Sequence, residues 1–386
     1  MGLEDRDALA ALRDALHRPD SGDLIARFFT TWFAIDPSVP DMFGPELPAH
    51  RAVFAQVMDW LLGEFVAQRS HEPVAFLAQL GRDHRQYGVT ADHYDSFGRA
   101  LFVTLSGGLG QRWTPAVAVA ARAAINLVAG VMKGAAEAES GPPWWTGTVV
   151  EHHRVSPDVA VVRLYLDTPM DYLPGQYVHV EVPQMPRRRR YLSPAIPAQP
   201  DGGIEFHVRA VPGGVVSPAI VDRTRPGDRW RMSGPYGGMQ VDRNGADILM
   251  VAGSTGLAPF RAIIMDLARF GPNPRLHLFF GARYPSQLYG LRTLWEVASH
   301  SPWLTVTPVS ELADDPPGAV GYPDAQPPGG LHIRQTGRLP EVVTRYGGWS
   351  DRQILICGGP GMVPATRAAL IAKGAPPQRI QHDPPP

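Results

Sequence analysis

Hydrophobic periodicity changes character twice along this 386-residue chain, and the changes divide it into three kinds of structure. Up to about residue 139, apolar side chains recur every three or four positions. Leu9, Leu12 and Leu16 are followed by Leu24, Ile25, Phe28, Phe29, Trp32 and Phe33. Val53, Phe54, Val57, Met58, Leu61, Leu62 and Phe65 make a second stripe, and Val74, Phe76, Leu77 and Leu80 a third that runs toward His84. Such spacing predicts helix after helix, with two more over Ala91–Leu105 and Thr114–Ala138. After Ser140-Gly141-Pro142-Pro143 come short alternating or β-branched runs, Thr146–Glu151, Val159–Leu166, Tyr177–Val182 and Ile204–Val211, which predict an antiparallel β-barrel. From about Ala246 strand-like runs (Asp247–Ala252, Arg275–Phe280, Leu304–Val309, Gln353–Cys357) alternate with helical ones (Phe260–Phe270, Leu288–Ser299), the pattern of an α/β doubly wound parallel sheet. The expected domains are therefore residues 1–139, all-α, 143–243, a β-barrel, and 246–386, α/β. Glu311–Gly330, rich in Pro, Gly and Asp, reads as a long loop.

Composition removes several functions. A net charge of -1 argues against nucleic acid as a partner. Cys357 is the only cysteine, so an internal disulfide, a four-thiolate zinc site and an iron–sulfur cluster are excluded within the chain. The longest apolar run, Ala116–Ala136, is interrupted by Arg122, Asn126 and Lys133 and reads as a buried Ala-rich helix instead of a membrane span. Met1–Asp7 is acidic and carries no secretory h-region, and Arg6 breaks the myristoylation pattern, so a cytoplasmic location is expected.

Three stretches carry chemistry. Arg187–Ala195 sets four consecutive arginines after the strand-like Val178–Val182, then offers Tyr191 as an aromatic surface and Ser193 as a hydroxyl. Positive charge concentrated there suits a flavin diphosphate, although charge runs are also found as solvated loops. Val251–Phe260 and Ile356–Met362 are glycine turns, each leading from a strand into a helix. Glycines let the backbone approach a pyrophosphate, and a helix N-terminus offers free N–H groups. Two such turns at the ends of parallel strands would hold a dinucleotide.

In that order, residues 143–386 resemble the ferredoxin–NADP reductase superfamily. Pro174-Gly175-Gln176-Tyr177 is similar to its Pro-Gly-Gln-Tyr turn, Arg190-Tyr191-Leu192-Ser193 to its Arg-x-Tyr-Ser flavin motif, and Gly213-Gly214-Val215-Val216-Ser217 to its diphosphate loop. Gly234-Pro235-Tyr236-Gly237 is similar to the inter-domain turn, and Gly253–Pro259 and Cys357–Met362 to the two nicotinamide loops. The resemblance implies FAD with NADH or NADPH. Arg190 would pair with a flavin phosphate, Ser193 would bond near the flavin N5, and Gly213, Gly214 and Ser217 would hold the diphosphate. Gly253, Thr255, Gly256 and Pro259 would shape the nicotinamide side, with Cys357, Gly358, Gly359 and Pro360 beside the hydride-transfer axis. Arg283 and Arg334 are candidate 2′-phosphate contacts. Two departures stand out. Leu192 occupies the place of the motif's flavin-stacking tyrosine, so the stack is missing or is supplied by Tyr191 from a shifted register. Near Gln381–Pro386, where relatives with a globin partner place an aromatic over the flavin, only His382 is available. Weaker flavin retention or an altered flavin face is expected.

Residues 1–139 resemble the globin domain of flavohaemoglobins, through Phe28-Phe29, Pro37, Phe43, His84 in Arg82-Asp83-His84-Arg85-Gln86-Tyr87, and Tyr94. The resemblance implies haem b with His84 as the proximal metal ligand, and Tyr94 with Glu137 or Glu139 orienting it. The family's distal tyrosine falls on Phe29, and its distal glutamine on Ala49 or His50, depending on register. Losing that phenolic donor removes a hydrogen bond to bound oxygen worth roughly 1.5–3 kcal/mol. The implied activity is an NAD(P)H-dependent oxidoreductase passing electrons through FAD to haem, with nitric oxide dioxygenase-type or related O2/NO chemistry. Small molecules (O2, NO and the nicotinamide dinucleotide) are the expected partners. Two further readings are a flavin dehydrogenase with another donor, such as a 2-hydroxy acid, and a reductase whose globin senses a ligand or carries no haem.

Overall fold

Residues 3–16, 21–43, 47–67, 72–319 and 332–383 are described by the computed structural model, so most of the expected 311–330 loop and the last three prolines lie outside it. The chain divides into two units, Met1–Trp144 and Trp145–Pro386.

Helices build the first unit: α1 (Leu3–Leu16), α2 (Ser21–Ile35), α3 (Pro40–Phe43), α4 (Leu47–Ala67), α5 (Glu72–His84), α6 (Ala91–Leu109) and α7 (Pro115–Ala138). The three- and four-residue stripes meet in one core, where Phe28 stacks on Phe54 with ring centroids 4.9 Å apart and meets Phe29 edge-on at 5.1 Å. Thr114 caps α7 by accepting from the Val117 amide at 3.3 Å, with Pro115 in the first helical position, where its missing N–H costs nothing. Helix α7 is long and apolar enough to cross a membrane by length and composition. Here its Val117, Ala121 and Ile125 are buried in the same core as Phe28. It also crosses α5 so closely that a Cβ on Gly81 would lie 2.1 Å from the Met132 carbonyl oxygen.

The second unit begins with antiparallel strands: β1 (Trp145–Ser156), β2 (Val159–Leu166), β3 (Val178–Glu181), β4 (Arg189–Leu192), β5 (Gly203–Arg209), helix α8 (Val216–Arg223) and β6 (Arg229–Met232). Their order is β4-β3-β6-β1-β2-β5, and a bridge between Pro194 and Phe206 joins the two ends into a barrel. Strands β4 and β6 are only four residues each: in β4 the arginines leave Leu192 alone turned inward, and in β6 Trp230 and Met232 alternate with arginines over too short a run to mark a strand.

The rest is β7 (Ile248–Gly253), α9 (Leu257–Arg269), β8 (Leu276–Ala282), α10 (Leu291–His300), β9 (Leu304–Ser310), β10 (Gln335–Thr336), α11 (Leu339–Arg345), β11 (Gln353–Cys357), α12 (Met362–Ala372) and β12 (Ile380–Gln381). These strands form a parallel sheet in the order β10-β9-β8-β7-β11-β12. Alternate residues of β7 feed opposite layers. Ile248, Met250 and Ala252 pack with α9 and α10, and Leu249 and Val251 with α11 and α12. The order reverses at β7, between β8 and β11, which opens a crevice at the carboxyl ends of β7 and β11.

Candidate functional site

A cleft of about 580 Å³ lies where the barrel meets that crevice. The flavin-motif segment forms one wall, with Arg190, Tyr191, Leu192 and Ser193, together with Tyr177 and Ser217. Gly253, Thr255, Gly256 and Pro259 form the second wall, and Cys357, Gly358, Gly359, Pro360 and His382 the third. The residues singled out for flavin and for nicotinamide thus share one cavity, except Gly213 and Gly214. Those two lie in the turn before α8, where the Gly214 amide donates to the Val211 carbonyl and Ser217 Oγ accepts from the Val211 amide at 3.2 Å.

On the flavin wall the register of β4 is regular: Arg190 faces Val180, Tyr191 faces His179 and Leu192 faces Val178. No shift brings Tyr191 into the place of Leu192. Leu192 is buried among the barrel's apolar side chains. Tyr191 sits on the opposite face, 47% exposed, edge-on to His179 at 4.3 Å and to Tyr177 at 5.3 Å. Burial, and then the Arg189 charge, lower the His179 pKa to about 4, so its ring is neutral and packs as an aromatic. Arg190 makes no ion pair with any described residue, whereas Arg189 beside it is 3.5 Å from Glu181. An unpaired guanidinium and an exposed ring in a cleft of this size suit an FAD.

On the nicotinamide walls, backbones approach closely. A Cβ on Gly256 would lie 2.2 Å from the Cys357 carbonyl oxygen, so the turn after β7 presses directly on the end of β11. Ser254 adopts φ = 53°, a strained conformation for a residue other than glycine. Burial pushes the Cys357 thiol up to about 12, with a smaller contribution from Asp383, so it is a thiol and not a thiolate. Asp383 also lines the cleft, and burial raises its carboxyl to about 6. The two arginines considered for a 2′-phosphate do not line this cleft: Arg283 covers the Tyr284 ring at 5.4 Å, and Arg334 donates to Ser310 Oγ at 2.6 Å.

Sequence reasoning missed a buried polar group at this junction. His207 lines the cleft; its Nε2 lies 3.2 Å from Glu205 Oε1 and its Nδ1 3.0 Å from the Tyr289 hydroxyl. Glu205 also accepts from Arg261 and Arg163, each at 2.8 Å. The alternation of Ile204, Phe206 and Val208 marks Glu205 and His207 as an outward face. Arg261 and Tyr289, distant in sequence, cover that face, and no local pattern announces this.

In the helical unit, His84 ends α5, half-buried, and its Nδ1 lies 2.6 Å from the Leu80 carbonyl oxygen. Burial holds its pKa below the ordinary value, which keeps the imidazole neutral. Neither Tyr94 nor Glu137 hydrogen-bonds the His84 ring in the structure. The Tyr94 hydroxyl donates to the Gly81 carbonyl at 3.4 Å, Glu137 is exposed on α7, and Glu139 is 3.9 Å from Arg82. The Leu80 carbonyl already occupies the nitrogen those residues would have needed. Leu61 of α4 and Leu77 of α5 share a cluster against which Val57 and Leu80 pack. One turn further along each helix come Val53, 57% exposed, and His84. A neutral imidazole held through Nδ1, with Nε2 left to accept a metal, suits haem iron. Phe29 is 2% exposed among rings, including Phe43 at 5.4 Å, and His50 is exposed with its ring 5.6 Å from Phe43.

Three family models match the chain in order. Residues 26–132 match the globin family, 146–241 the oxidoreductase FAD-binding domain and 250–368 the oxidoreductase NAD-binding domain. The reductase subunit of an aromatic O-demethylase from Amycolatopsis sp. is 32% identical over 62% of this chain and 68% of its own. The reductase component of a phenol 2-monooxygenase from Pseudomonas sp. is 31% identical over 59% of this chain, a match spanning 64% of the relative's length. Among solved structures, a flavohaemoglobin from Malassezia yamatoensis with bound FAD and haem covers 99% of this chain and 98% of its own at a TM-score of 0.68 and 16% identity, a likeness of fold. An Amycolatopsis cytochrome P450 reductase is 29% identical, with a TM-score of 0.53, over 62% of this chain and 68% of its own. The chain belongs to the FAD- and NAD-binding oxidoreductases, joined to a globin in the domain order of the flavohaemoglobins.

Proposed function

We propose that this oxidoreductase takes hydride from NADH or NADPH and delivers electrons through FAD to a globin haem, with nitric oxide dioxygenase-type or related O2/NO chemistry. The observation that carries the proposal is the single cleft shared by the flavin-motif strand and both nicotinamide turns, in a chain whose globin presents His84. When bound, the cofactors supply the electron chemistry, and the protein supplies position and electrostatics. Arg190 would neutralise a flavin phosphate, Ser193 would hold the flavin edge and Tyr191 would cover ring surface. Gly253–Pro259 and Cys357–Pro360 would receive the dinucleotide on backbone N–H groups. His84 would bind the iron through Nε2, with Leu80 fixing the ring. Phe29 gives no hydrogen bond to a distal ligand, so oxygen would be held less firmly than by a tyrosine at that position.

An absorption spectrum of the purified protein tests this reading, taken before and after anaerobic NADH or NADPH, then with O2 and NO. Flavin and Soret bands that both respond to the nicotinamide, followed by nitrate formation, are expected. A flavin bleached by a 2-hydroxy acid but by neither nicotinamide, or the absence of a Soret band, overturns it.

A further inference from the structure

A single guanidinium ties the nicotinamide turn to the flavin strand. Arg261 lies on α9, the helix that opens at the Ser254–Gly256 turn. Its Nη1 donates at 2.8 Å to the carbonyl of Ala195, the last residue of the flavin-motif segment, and at 2.8 Å to Glu205 Oε1 on β5. Glu205 is 3% exposed, and its other oxygen, Oε2, accepts from Arg163 at 2.8 Å. His207, two residues along β5, completes a second tie. A carboxylate accepts only, so Nε2 carries the ring proton toward Glu205 and Nδ1 accepts from the Tyr289 hydroxyl, which belongs to the α/β part.

Arg261, Glu205, His207 and Tyr289 each have a polar partner, and three of the contacts, Arg261 to Ala195, Arg261 to Glu205 and Tyr289 to His207, cross from the α/β part to the barrel. Stability does not require such a group, because well-packed apolar side chains in place of a buried ion pair are often as stable or more so. What an apolar patch lacks is a unique register. Hydride transfer needs one, since reacting atoms must come within about 3–3.5 Å and a misplacement of about 1 Å costs on the order of 100-fold in rate.

We propose that Arg261, Glu205, His207 and Tyr289 form a positioning clamp that sets the distance between the nicotinamide and flavin sides of the cleft. None of the four is a catalytic residue; they act through the backbone of Ala195 and the helix opened at Gly256. The clamp rests on the proposed nicotinamide-to-flavin reaction, and its test separates the two. In the full-length protein, Tyr289→Phe and Arg261→Met are compared with wild type and with Arg261→Lys. Two measurements are made: amide hydrogen exchange without added nicotinamide, and anaerobic single-turnover flavin reduction by NADH.

Exchange is expected to rise at Leu192–Ala195 and Thr255–Phe260 together in Tyr289→Phe and Arg261→Met. The limiting reduction rate is expected to fall about 10- to 100-fold, with flavin content and NADH half-saturation within about 2-fold of wild type. Arg261→Lys, which keeps one donor, is expected to recover part of both effects. Unchanged exchange in both segments, or a rate loss matched by an equal loss of bound flavin, overturns the clamp. Failure of NADH and NADPH to reduce the wild-type flavin overturns the proposed function instead, and the exchange measurement alone then decides the clamp.

Discussion

His84 Nδ1 lies 2.6 Å from the carbonyl oxygen of Leu80, one turn back on the same helix. Since a carbonyl only accepts, Nδ1 holds the ring proton and Nε2 keeps a free lone pair. A backbone carbonyl therefore does the orienting that a tyrosine or carboxylate side chain would otherwise do. His84→Gly is expected to remove the Soret band, and free imidazole at millimolar concentration to restore it. Tyr94→Phe, whose hydroxyl meets Gly81, is expected to leave the band in place. Soret absorbance at wild-type strength in His84→Gly without imidazole would show that another residue binds the iron.

Phe29 is enclosed by Phe28, Phe43 and Phe54 at 5.1, 5.4 and 5.7 Å, with the Arg51 guanidinium over its ring face at 5.6 Å. Phe29→Tyr puts a hydroxyl into that aromatic group. Left unpaired it costs about 1–3 kcal/mol, seen as a melting temperature lower by several degrees. Bonded to bound oxygen it slows release by about tenfold, since each 1.4 kcal/mol is a factor of ten. Oxygen release measured by flash photolysis checks this. A rate equal to wild type would mean that position 29 does not face the ligand.

The Tyr191 and Leu192 pair makes a sharper prediction about the flavin. Tyr191→Ala removes an exposed ring that contacts His179 and Tyr177 and is expected to lower flavin retention by about 2- to 10-fold, the worth of one aromatic contact. Leu192→Tyr does not create a stacking ring. It overpacks the barrel interior and is expected to cost about 1–3 kcal/mol. Should Leu192→Tyr bind flavin more tightly than wild type without loss of stability, the face assigned to that residue is wrong.

Those two residues also show what the sequence revealed and what it hid. Their spacing from Arg190 and Ser193 located the flavin segment, and glycine turns after β7 and β11 located the nicotinamide side, because both signals are local. Helix, barrel and parallel-sheet regions were legible for the same reason: period and turn chemistry act over a few residues. What Tyr191 and Leu192 face was not legible, since that depends on the pairing of β4 with β3. Glu205 and His207 were hidden by the alternation itself, which marks any polar face as outward until a distant Arg261 covers it. Likewise Leu80 gave no signal as the partner of His84, because every residue has a carbonyl.

Glu205 contributes to the response to acid. Burial by itself would raise its carboxyl, but the His207 hydrogen bond, the Arg261 charge and the Arg163 hydrogen bond outweigh burial and hold it at about 2, below the unfolded value of 4.5. A depressed folded pKa gives stability that is present above the unfolded value and is lost as pH falls from 4.5 toward 2. Glu205→Gln is expected to flatten the stability profile in that window. At neutral pH it costs about 1–3 kcal/mol, a moderate figure because Arg163 and Arg261 both keep part of their surface in water. Denaturant melts of the 145–386 unit's signal at several pH values check it, and an acid limb as steep as wild type would place the titration on another group.

Gly256 and Gly107 separate close approach from helix propensity. Both follow ordinary backbone, and neither has a positive φ. At Gly107, on α6, a Cβ meets nothing within 4 Å, so Gly107→Ala is expected to stabilise the helix by about 0.5–1 kcal/mol. At Gly256 the same Cβ would stand 2.2 Å from the Cys357 carbonyl oxygen, and neither backbone can give way without parting the two nicotinamide turns. Gly256→Ala is therefore expected to raise NADH half-saturation by tenfold or more while FAD remains bound, because the flavin strand lies on the other wall. Titration of flavin bleaching against NADH measures this. An unchanged half-saturation would show that the dinucleotide does not use the turn after β7, and the shared cleft would then need another occupant.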